Sequence, residues 1–498
     1  MVIRPTPVSG FEEFPSAERE RSIPCRFESQ VARYAERIAI EDGAQRWTYR
    51  NLNEAANRVA REILRIQTSD KNPVTLLFSR GFNAIAGILA VLKAGRAWVP
   101  MVPGEPVERL RLLLAEAGSS IVLTDASHRH EAGAVARNHA GVLEIECAIV
   151  SGAADNLALD VKPDALSNLI FTSGSTGRPK GVMHTHRIIL NNIMVHTNSL
   201  YLTHKDRICQ VASYTTLAGT SSIFRALLNG ATLLPFNIAA EGAANLAPWL
   251  IDKGITVCQI VPTLFRSLIQ CLPERVTFPD MRILHLGGEP VYRKDVLDFR
   301  RLFPKTCCLV HNLGSSEAPT IRQFFVDHNS AVEEERVPVG YPVPDREVTI
   351  ADDAGEPVGF DEIGEVVVRS RYLAEGYWRQ PELTRLAFEL DPSGDGMRRF
   401  HTGDLGSMSQ DGCLRIHGRK DSQVKLHGYR VEVQEIEAIL LSLDGIEQAA
   451  VAVFSETDSQ RLVAFVVLQA GHDLAEDSIH NYLRETLASF MVPRKVVI

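Results

Sequence analysis

The sequence contains no apolar run long enough to cross a membrane. Among its 498 residues, no uninterrupted apolar stretch approaches the ~20 residues that a spanning helix needs. The N-terminal M-V-I-R-P-T-P lacks the apolar centre of a signal peptide. Neither sign of charge dominates, since 53 basic residues face 61 acidic ones and the net charge is -8. This pattern leaves no electrostatic footprint for nucleic acid or an anionic membrane, so we predict neither partner.

Cysteine is scarce and scattered. None of the eight cysteines forms a C-x-x-C pair, which argues against both a zinc site and a disulfide framework. Buried thiols in a reducing compartment are the ordinary alternative, and we therefore predict a cytoplasmic protein. The cysteines are Cys25, Cys147, Cys209, Cys258, Cys271, Cys307, Cys308 and Cys413.

The order of the predicted elements indicates an α/β protein with more than one core, since the chain is too long for one. Apolar strand runs alternate with helical patterns as far as about residue 340, which predicts helix-covered, mainly parallel sheets. Shorter strands and turns then predict a β-rich lobe. We predict a large unit over 1–417, a hinge at 418–421, and a small mobile C-terminal α/β subdomain over 422–498, with a polar surface arm at 1–26. The predicted strands are 74–78, 97–100, 121–123, 168–171, 207–211, 232–234, 256–261, 283–286, 308–311, 449–454 and 462–467, and the helices after the hinge are 433–443 and 476–488.

One loop rich in glycine and hydroxyl groups follows the apolar strand Leu169–Phe171. Its sequence is T-S-G-S-T-G-R-P-K-G, from Thr172 to Gly181. Glycines let a backbone approach an anion closely, hydroxyl and N–H groups donate to its oxygens, and Arg178 and Lys180 add two cations. The order differs from G-x-x-x-x-G-K-[ST], and composition alone also fits a flexible surface loop. We interpret the segment as a phosphate cradle of another kind.

The loop resembles the signature of the adenylate-forming superfamily, which includes acyl-CoA synthetases, luciferases and the adenylation domains of nonribosomal peptide synthetases. Further motifs resemble those of the same superfamily, in the same order, across nearly the whole chain. The A-L-L-N-G-A and final motifs most resemble the peptide-synthetase branch. The motifs are L-K-A-G-R-A-W-V-P from Leu92, A-L-L-N-G-A from Ala226, H-N-L-G-S-S-E from His311, G-E-V-V-V-R-S from Gly364, H-T-G-D-L from His401 and G-R-K-D-S-Q-V-K-L-H-G-Y-R-V-E from Gly418.

The resemblance implies that a carboxylic acid reacts with ATP and Mg²⁺ to give acyl-AMP, and that the acyl group then passes to the phosphopantetheine thiol of a carrier protein. It implies catalytic roles for Thr172, Lys180, Glu317 and Arg419, with Glu317 as the metal ligand. For Glu317 a solvated loop acid stays open as the alternative, and for Arg419 a surface arginine does. The implied nucleotide-binding residues are Thr172, Ser173, Gly174, Ser175, Thr176, Gly177, Lys180, Gly288, Asn312, Leu313, Gly314, Ser316, Asp404 and Arg419.

Four residues in the last fifth of the chain have further implied roles. Asp404 and Arg419 would reach the ribose, although an aspartate in a turn also caps turns. Asp421 resembles the residue on which the small subdomain swings between two poses. Gly428 resembles a glycine that leaves space for the thiol arm, and an ordinary turn glycine is the alternative. Lys425 fits a solvated lysine equally well.

The first departure from the family pattern concerns the substrate. Family members that bind α-amino acids pair the ammonium with an aspartate in F-D-x-S, and the aligned position here is Leu217. An ammonium buried against leucine would be unpaired, so we predict an acid without a free α-amino group. An amino acid whose amine finds another partner stays open, and His285 equally fits a core histidine. The implied substrate pocket is Leu217, Ala218, Ser221, Gln259, His285, Gly287, Asn312, Thr320 and Ile321.

Two further departures affect the nucleotide site and the end of the chain. Leu313 replaces the aromatic residue that stacks on adenine in the family, so aliphatic packing is expected instead. The sequence ends at S-F-M-V-P-R-K-V-V-I, before a P-x-x-x-G-K-type segment whose lysine contacts the reacting groups, and Lys495 precedes that segment. We therefore expect an excised domain that adenylates slowly.

Three other functions stay open at this stage. The chain fits an amino-acid-activating adenylation domain, a free-standing acyl-CoA synthetase, or a catalytically silent domain that docks a partner. Retention of the phosphate loop, Glu317 and Asp404 argues against the silent domain. Transfer to coenzyme A rather than to a carrier protein would identify the synthetase.

Overall fold

The computed structural model describes residues 4–67, 72–150, 152–174, 179–273, 276–391, 396–421, 423–426, 428–456 and 459–498. It is a mixed α/β structure, as the sequence predicts, with several sheets and a small C-terminal subdomain. The helices are α1 (Ile23–Tyr34), α2 (Tyr49–Ile66), α3 (Phe82–Lys93), α4 (Val107–Ala117), α5 (Arg129–Ala136), α6 (Ile145–Ile149), α7 (His186–Leu200), α8 (Leu217–Leu227), α9 (Ile238–Glu241), α10 (Ala243–Asp252), α11 (Pro262–Gln270), α12 (Arg293–Leu302), α13 (Pro381–Ala387), α14 (Val433–Leu441) and α15 (Glu476–Thr486).

The strands match the predicted apolar runs to within a few residues. Short 3-10 helices lie at Ser16–Glu20, Ala126–His128 and Ser489–Met491. The strands are β1 (Ile38–Asp42), β2 (Gln45–Thr48), β3 (Val74–Leu77), β4 (Trp98–Met101), β5 (Ile121–Thr124), β6 (Gly141–Glu144), β7 (Leu166–Thr172), β8 (Lys180–Thr185), β9 (Arg207–Gln210), β10 (Thr232–Pro235), β11 (Val257–Ile260), β12 (Ile283–Gly287), β13 (Cys308–Leu313), β14 (Arg322–Val326), β15 (Tyr341–Pro342), β16 (Glu347–Ala351), β17 (Gly364–Ser370), β18 (Phe388–Leu390), β19 (Arg398–Met408), β20 (Leu414–Arg419), β21 (Gln423–Leu426), β22 (Tyr429–Glu432), β23 (Ile446–Glu456), β24 (Ser459–Leu468) and β25 (Lys495–Val497).

Two helix-covered sheets form most of the structure. The nine-stranded sheet has the order β15-β14-β13-β12-β11-β9-β10-β1-β2 and is parallel from β13 to β1. The six-stranded sheet has the order β6-β5-β3-β4-β7-β8, and only its last pair is antiparallel. Their central parallel strands β3, β4, β5 and β10 are buried along their whole length, as expected for strands covered on both faces. The carboxyl ends of such strands are where ligands bind in open α/β sheets.

The later part of the chain has smaller, mostly antiparallel sheets. Strands β16 to β20 form a five-stranded antiparallel sheet, which confirms the predicted β-rich lobe. Strands β21 and β22 form a hairpin, and β23 to β25 form a three-stranded sheet packed with α14 and α15 around an apolar core of their own. The hinge at 418–421 and the domain limits drawn from it remain our proposal.

The prediction of a surface arm at 1–26 is wrong for part of that segment. Phe14 and Ile23 are fully buried in the main core. Helix α1 already begins at Ile23, because Ser22 caps it by accepting a hydrogen bond from the N–H of Cys25. Among the described residues, no helix is both long and apolar enough to cross a bilayer. The cytoplasmic location stays a prediction.

A tight turn places α8 beside the site. Thr216 caps the helix by accepting a hydrogen bond from the N–H of Gly219. A Cβ atom on Gly219 would lie 2.0 Å from the carbonyl oxygen of Ser213. Only glycine therefore lets α8 start at Leu217 against this turn.

Gly219→Ala is expected to destabilise the protein. The overlap with the Ser213 carbonyl forces the turn and α8 apart, and such overpacking costs about 1–3 kcal/mol. Gly133→Ala is the matched control, since Gly133 is exposed within α5 and a Cβ there has no neighbour within 4 Å. The thermal unfolding midpoint should fall for the first variant and stay or rise for the second. An unchanged midpoint for Gly219→Ala would show that the turn can shift to accommodate the added Cβ atom without cost.

Candidate active site

A cavity of about 700 Å³ opens at the carboxyl ends of β7 and β11–β13, under the β21–β22 hairpin. Most residues singled out in the sequence meet on its wall. A surface depression of about 850 Å³, between residues 104–108 and 480–494, contains none of them. The singled-out residues that line the cavity are Thr172, Ser173, Leu217, Ala218, Ser221, Gln259, Gly287, Gly288, Asn312, Gly314, Ser316, Glu317, Thr320, Ile321, Asp404, Arg419, Lys425 and Gly428.

The remaining predicted residues lie behind this wall or outside the described chain. Lys180 and His285 are buried next to lining residues, Asp421 accepts a hydrogen bond from the lining residue Arg419, and Gly174 follows the lining residue Ser173 in the chain. Leu313 packs in the core of the β-rich lobe, so the structure does not place it on the cavity wall. Ser175, Thr176, Gly177 and Arg178 lie outside the described residues.

The described ends of the predicted phosphate loop belong to the antiparallel strands β7 and β8, in which Thr172 pairs with Lys180. The first residues of the loop hold the C-terminal subdomain. The hydroxyl of Ser173 donates to the carbonyl of Arg430 at 2.8 Å and accepts from the N–H of Glu432 at 3.1 Å. The N–H of Gly174 donates to Glu435 at 3.3 Å. The loop therefore contacts the small subdomain directly in this pose.

Glu317 is the centre of a buried charge cluster. It is 0% exposed, and its Oε1 atom accepts from Arg430 Nη1 at 2.8 Å and from the hydroxyl of Tyr377 at 3.0 Å. Lys180 Nζ lies 4.0 Å from the same oxygen and 3.9 Å from Glu432. Burial alone would raise the pKa of Glu317, but Arg430 and Lys180 lower it to about 2. The carboxylate is therefore ionised throughout the neutral range.

The second oxygen of Glu317 fits a cation. Glu317 Oε2 is buried and has no hydrogen-bond partner among the described residues. Mg²⁺ in phosphate-binding sites commonly takes one or two carboxylates together with phosphate oxygens. The described residues contain no cluster of three acidic, histidine or cysteine side chains for a metal, so a metal here would take the Glu317 carboxylate together with phosphate oxygens.

Asp404 and Arg419 form a second charged group on the wall. They face each other across β19 and β20, with Arg419 Nη1 2.7 Å from Asp404 Oδ1. Arg419 also donates to both oxygens of Asp421, at 2.7 and 2.8 Å. Burial opposes the charge of Arg419, but the two carboxylates raise its pKa above the ordinary value. Arg419 therefore links Asp404, the other predicted ribose residue, to Asp421, the predicted hinge residue.

The deepest part of the cavity, which we call the acid pocket, lies between α7, α8 and the ends of β11–β13. Thr320 donates to Asn192 at 2.9 Å and contacts His196 at 2.9 Å, and Asn192 donates to Ser221 at 3.0 Å. No Asp or Glu belongs to this set. The acid pocket is Asn192, His196, Leu217, Ala218, Ser221, Arg225, Gln259, Gly287, Asn312, Thr320 and Ile321.

Sequence reasoning missed two arginines of the site. Arg225 lies one helical turn after Ser221 on α8, so its helical spacing was a usable signal. Arg430 lies inside the G-Y-R-V-E motif, but its partner Glu317 is 113 residues away in sequence. Nothing in the sequence indicates that contact.

Comparison with known proteins gives two family matches. The model described as "AMP-binding enzyme" matches residues 27–378, and that described as "AMP-binding enzyme C-terminal domain" matches residues 435–498. Together they cover most of the chain and both sides of the β21–β22 hairpin.

Similar sequences occur within large synthetases. Surfactin synthase subunit 1 from Bacillus subtilis (strain 168) is 31% identical over 479 residues, which is 95% of this chain but 13% of that protein. Tyrocidine synthase 3 from Brevibacillus parabrevis is 32% identical over 96% of this chain and 7% of its own length. The chain thus spans a small part of these relatives. Zwittermicin A synthase ZmaJ from Bacillus cereus is 29% identical, with 95% of this chain and 90% of that protein covered.

Solved structures share the fold. NpsA-ThdA, an artificially fused adenylation-PCP di-domain from Klebsiella oxytoca, has a TM-score of 0.83 at 23% identity, with 96% of this chain and 94% of that chain covered. The o-succinylbenzoate CoA synthetase MenE from Bacillus subtilis has a TM-score of 0.81 at 21% identity, with coverage of 96% and 95%. Because the first family model alone matches well over half of the sequence, the chain belongs to the AMP-binding enzyme family and is an adenylate-forming ligase.

Proposed function

We propose that this ligase activates a carboxylic acid without a free α-amino group and passes the acyl group to the thiol of a carrier protein. In the first step, a carboxylate oxygen of the acid bonds to the α-phosphorus of ATP and pyrophosphate leaves. In the second, the carrier thiol displaces AMP from the acyl carbon and loses its proton. The ligase class itself follows from the family.

The composition of the acid pocket is the observation that supports the amine-free substrate. Leu217 begins α8 on the wall of this pocket, and none of the described residues that form the pocket is an Asp or Glu. The one charged side chain there is the cation Arg225. A substrate ammonium would be both unpaired and repelled, at a cost of several kcal/mol.

The nucleotide would bind on the opposite side of the cavity. Thr172, Ser173 and Lys180 come from the phosphate loop, and Asp404 with Arg419 would take the ribose hydroxyls. Mg²⁺, when bound at Glu317, would neutralise phosphate charge. Lys180, which is buried and whose pKa is lowered from its ordinary value by that burial, supplies a cation in the same region.

The carrier protein would bring a phosphopantetheine thiol to the β21–β22 hairpin. In this pose the N–H of Gly428 donates to Glu289 at 3.0 Å, and the hairpin forms part of the cavity wall. This chain spans only 13% of surfactin synthase subunit 1 and 7% of tyrocidine synthase 3, and one structural neighbour is an artificially fused adenylation-PCP di-domain. Both support an adjoining carrier or synthetase domain as the partner.

Acid-dependent exchange of pyrophosphate into ATP tests the proposal, measured on the protein at its natural length. The panel pairs α-amino acids with their hydroxy, keto and des-amino analogues. Amine-free acids should exchange at least about 100-fold faster than their amino acids, since an unpaired buried charge costs several kcal/mol. Leu217→Asp should narrow that ratio, whereas faster exchange with an amino acid would contradict the proposal. Transfer of the activated acyl group to coenzyme A rather than to a carrier protein would contradict the proposed transfer step.

A further inference from the structure

The floor of the acid pocket holds a buried arginine whose charge no described carboxylate offsets. Arg225 is 1% exposed and lines the cavity. Its described partners are two neutral groups: Nη2 donates to Gln259 Oε1 at 2.5 Å, and Nη1 donates to His285 Nδ1 at 3.3 Å. The Nε atom is buried and has no hydrogen-bond partner among the described residues. Most of the five donors of this guanidinium are therefore unused.

The neighbours of Arg225 add donors rather than negative charge. Because His285 Nδ1 accepts from Arg225, the neutral ring carries its proton on Nε2, which is also buried without a partner among the described residues. The rings of His285 and His196 lie 5.4 Å apart. Burial, followed by the charge of Arg225, holds the pKa of both histidines well below the ordinary value. Burial also lowers the pKa of Arg225 to about 9, which leaves the guanidinium charged at neutral pH.

Arg225 lies deeper than the place where the reacting carboxylate must sit. Its partners Gln259 and His285 are paired across β11 and β12. Gly287, two residues further along β12, is paired with Asn312 at the carboxyl end of the sheet, which is the end nearer Glu317. Two residues of strand correspond to about 7 Å. The guanidinium therefore faces the distal end of a bound acid and not the end that reacts.

We propose that the acid activated by this protein carries a second carboxylate, which binds Arg225 at the floor of the acid pocket. This rests on the proposed function and narrows its substrate class to a dicarboxylic acid. A planar guanidinium presents paired donors that match a carboxylate. An isolated buried charge is costly, and the distal carboxylate supplies the charge that the pocket lacks. Leu217 is also compatible with a diacid. An aspartate at this position would repel the second carboxylate of the substrate, and leucine does not.

The first test uses the unaltered protein at its natural length and compares acids that differ only in distal charge. Succinate, glutarate, adipate and isophthalate are each paired with their mono-amide, which has nearly the same size and shape. Pyrophosphate exchange gives kcat/KM for each. At least one diacid should exceed its mono-amide by about 100-fold or more, as expected for losing one partner of a buried ion pair. Equal or better exchange with the mono-amides, or with acids that have no second anion, overturns the inference.

The second test assigns the preference to Arg225. Arg225→Met should bring the ratio of diacid to mono-amide close to 1, and Arg225→Lys should keep a reduced preference, because lysine keeps the charge but not the paired donors. A purely structural role would change kcat/KM for both members of a pair and leave their ratio intact, which would contradict the assignment. If Arg225→Met does not fold, the panel on the unaltered protein decides. Failure of every acid together with loss of ATP binding would instead refute the proposed adenylation.

Discussion

Gly428→Ala is expected to leave pyrophosphate exchange near its original rate and to slow acyl transfer to a carrier thiol by about 5- to 150-fold, the range given by an overpacking cost of about 1–3 kcal/mol. A Cβ atom on Gly428 would lie 2.5 Å from Cγ1 of Val261, at the start of α11. The φ angle of Gly428 is +81°, which also disfavours alanine. The hairpin would therefore be pushed away from the cavity in this pose. Adenylation should be spared if it uses the other pose that the resemblance implies.

Two controls separate the clash from the backbone effect. Gly412→Ala places alanine at a φ of +83° in the turn between β19 and β20, where a Cβ meets nothing within 4 Å. It should have little effect on either half-reaction. Val261→Ala removes the atom that Gly428→Ala would strike, so the double variant should recover most of the transfer rate. Equal losses of exchange and transfer in Gly428→Ala would show that one pose serves both steps.

The fold could be predicted largely because its buried strands have a simple signature. The predicted strands at 121–123 and 283–286 are Ile121–Thr124 and Ile283–Gly287 in the structure. Parallel strands covered on both faces appear as continuous apolar runs, and a run fixes its own limits to within a residue or two. The prediction of a surface arm at 1–26 was wrong because burial there is not encoded by the local sequence. Whether Phe14 and Ile23 are buried depends on the cavities they enter, and residues far along the chain form those cavities.

The candidate site could be predicted where a residue belongs to a contiguous motif. Thr172, Glu317 and Asp404 were found in this way, and all three lie on one cavity wall. The pairing of Arg430 with Glu317 and of Arg225 with Gln259 depends on packing between segments distant in sequence. A residue's type and local spacing do not specify such partners. The charge balance of the acid pocket therefore became visible only in three dimensions.

Arg430→Gln is expected to slow acyl transfer by about 100-fold or more while pyrophosphate exchange stays unchanged or rises. In the pose described here, Arg430 occupies the charge-neutralising position at Glu317, with 2.8 Å between Nη1 and Oε1. Burial alone would lower the pKa of Arg430, but Glu317 raises it, so the two form a mutually dependent pair. Breaking a buried ion pair costs about 3–5 kcal/mol. Here the variant would destabilise the pose in which the hairpin is docked against Glu317.

The same contact predicts competition between the hairpin and a bound metal. Arg430 and Mg²⁺ would neutralise the same carboxylate, so addition of MgATP should weaken docking and speed hydrogen exchange over Tyr429–Glu432. Arg430→Gln should already exchange fast there without nucleotide. Arg415→Gln is the matched control, because its pair with Glu334 at 2.8 Å is exposed and such pairs contribute about 0–1 kcal/mol. Slow exchange in Arg430→Gln, or no response to MgATP, would mean that the backbone contacts of Ser173 hold the hairpin without help from the ion pair.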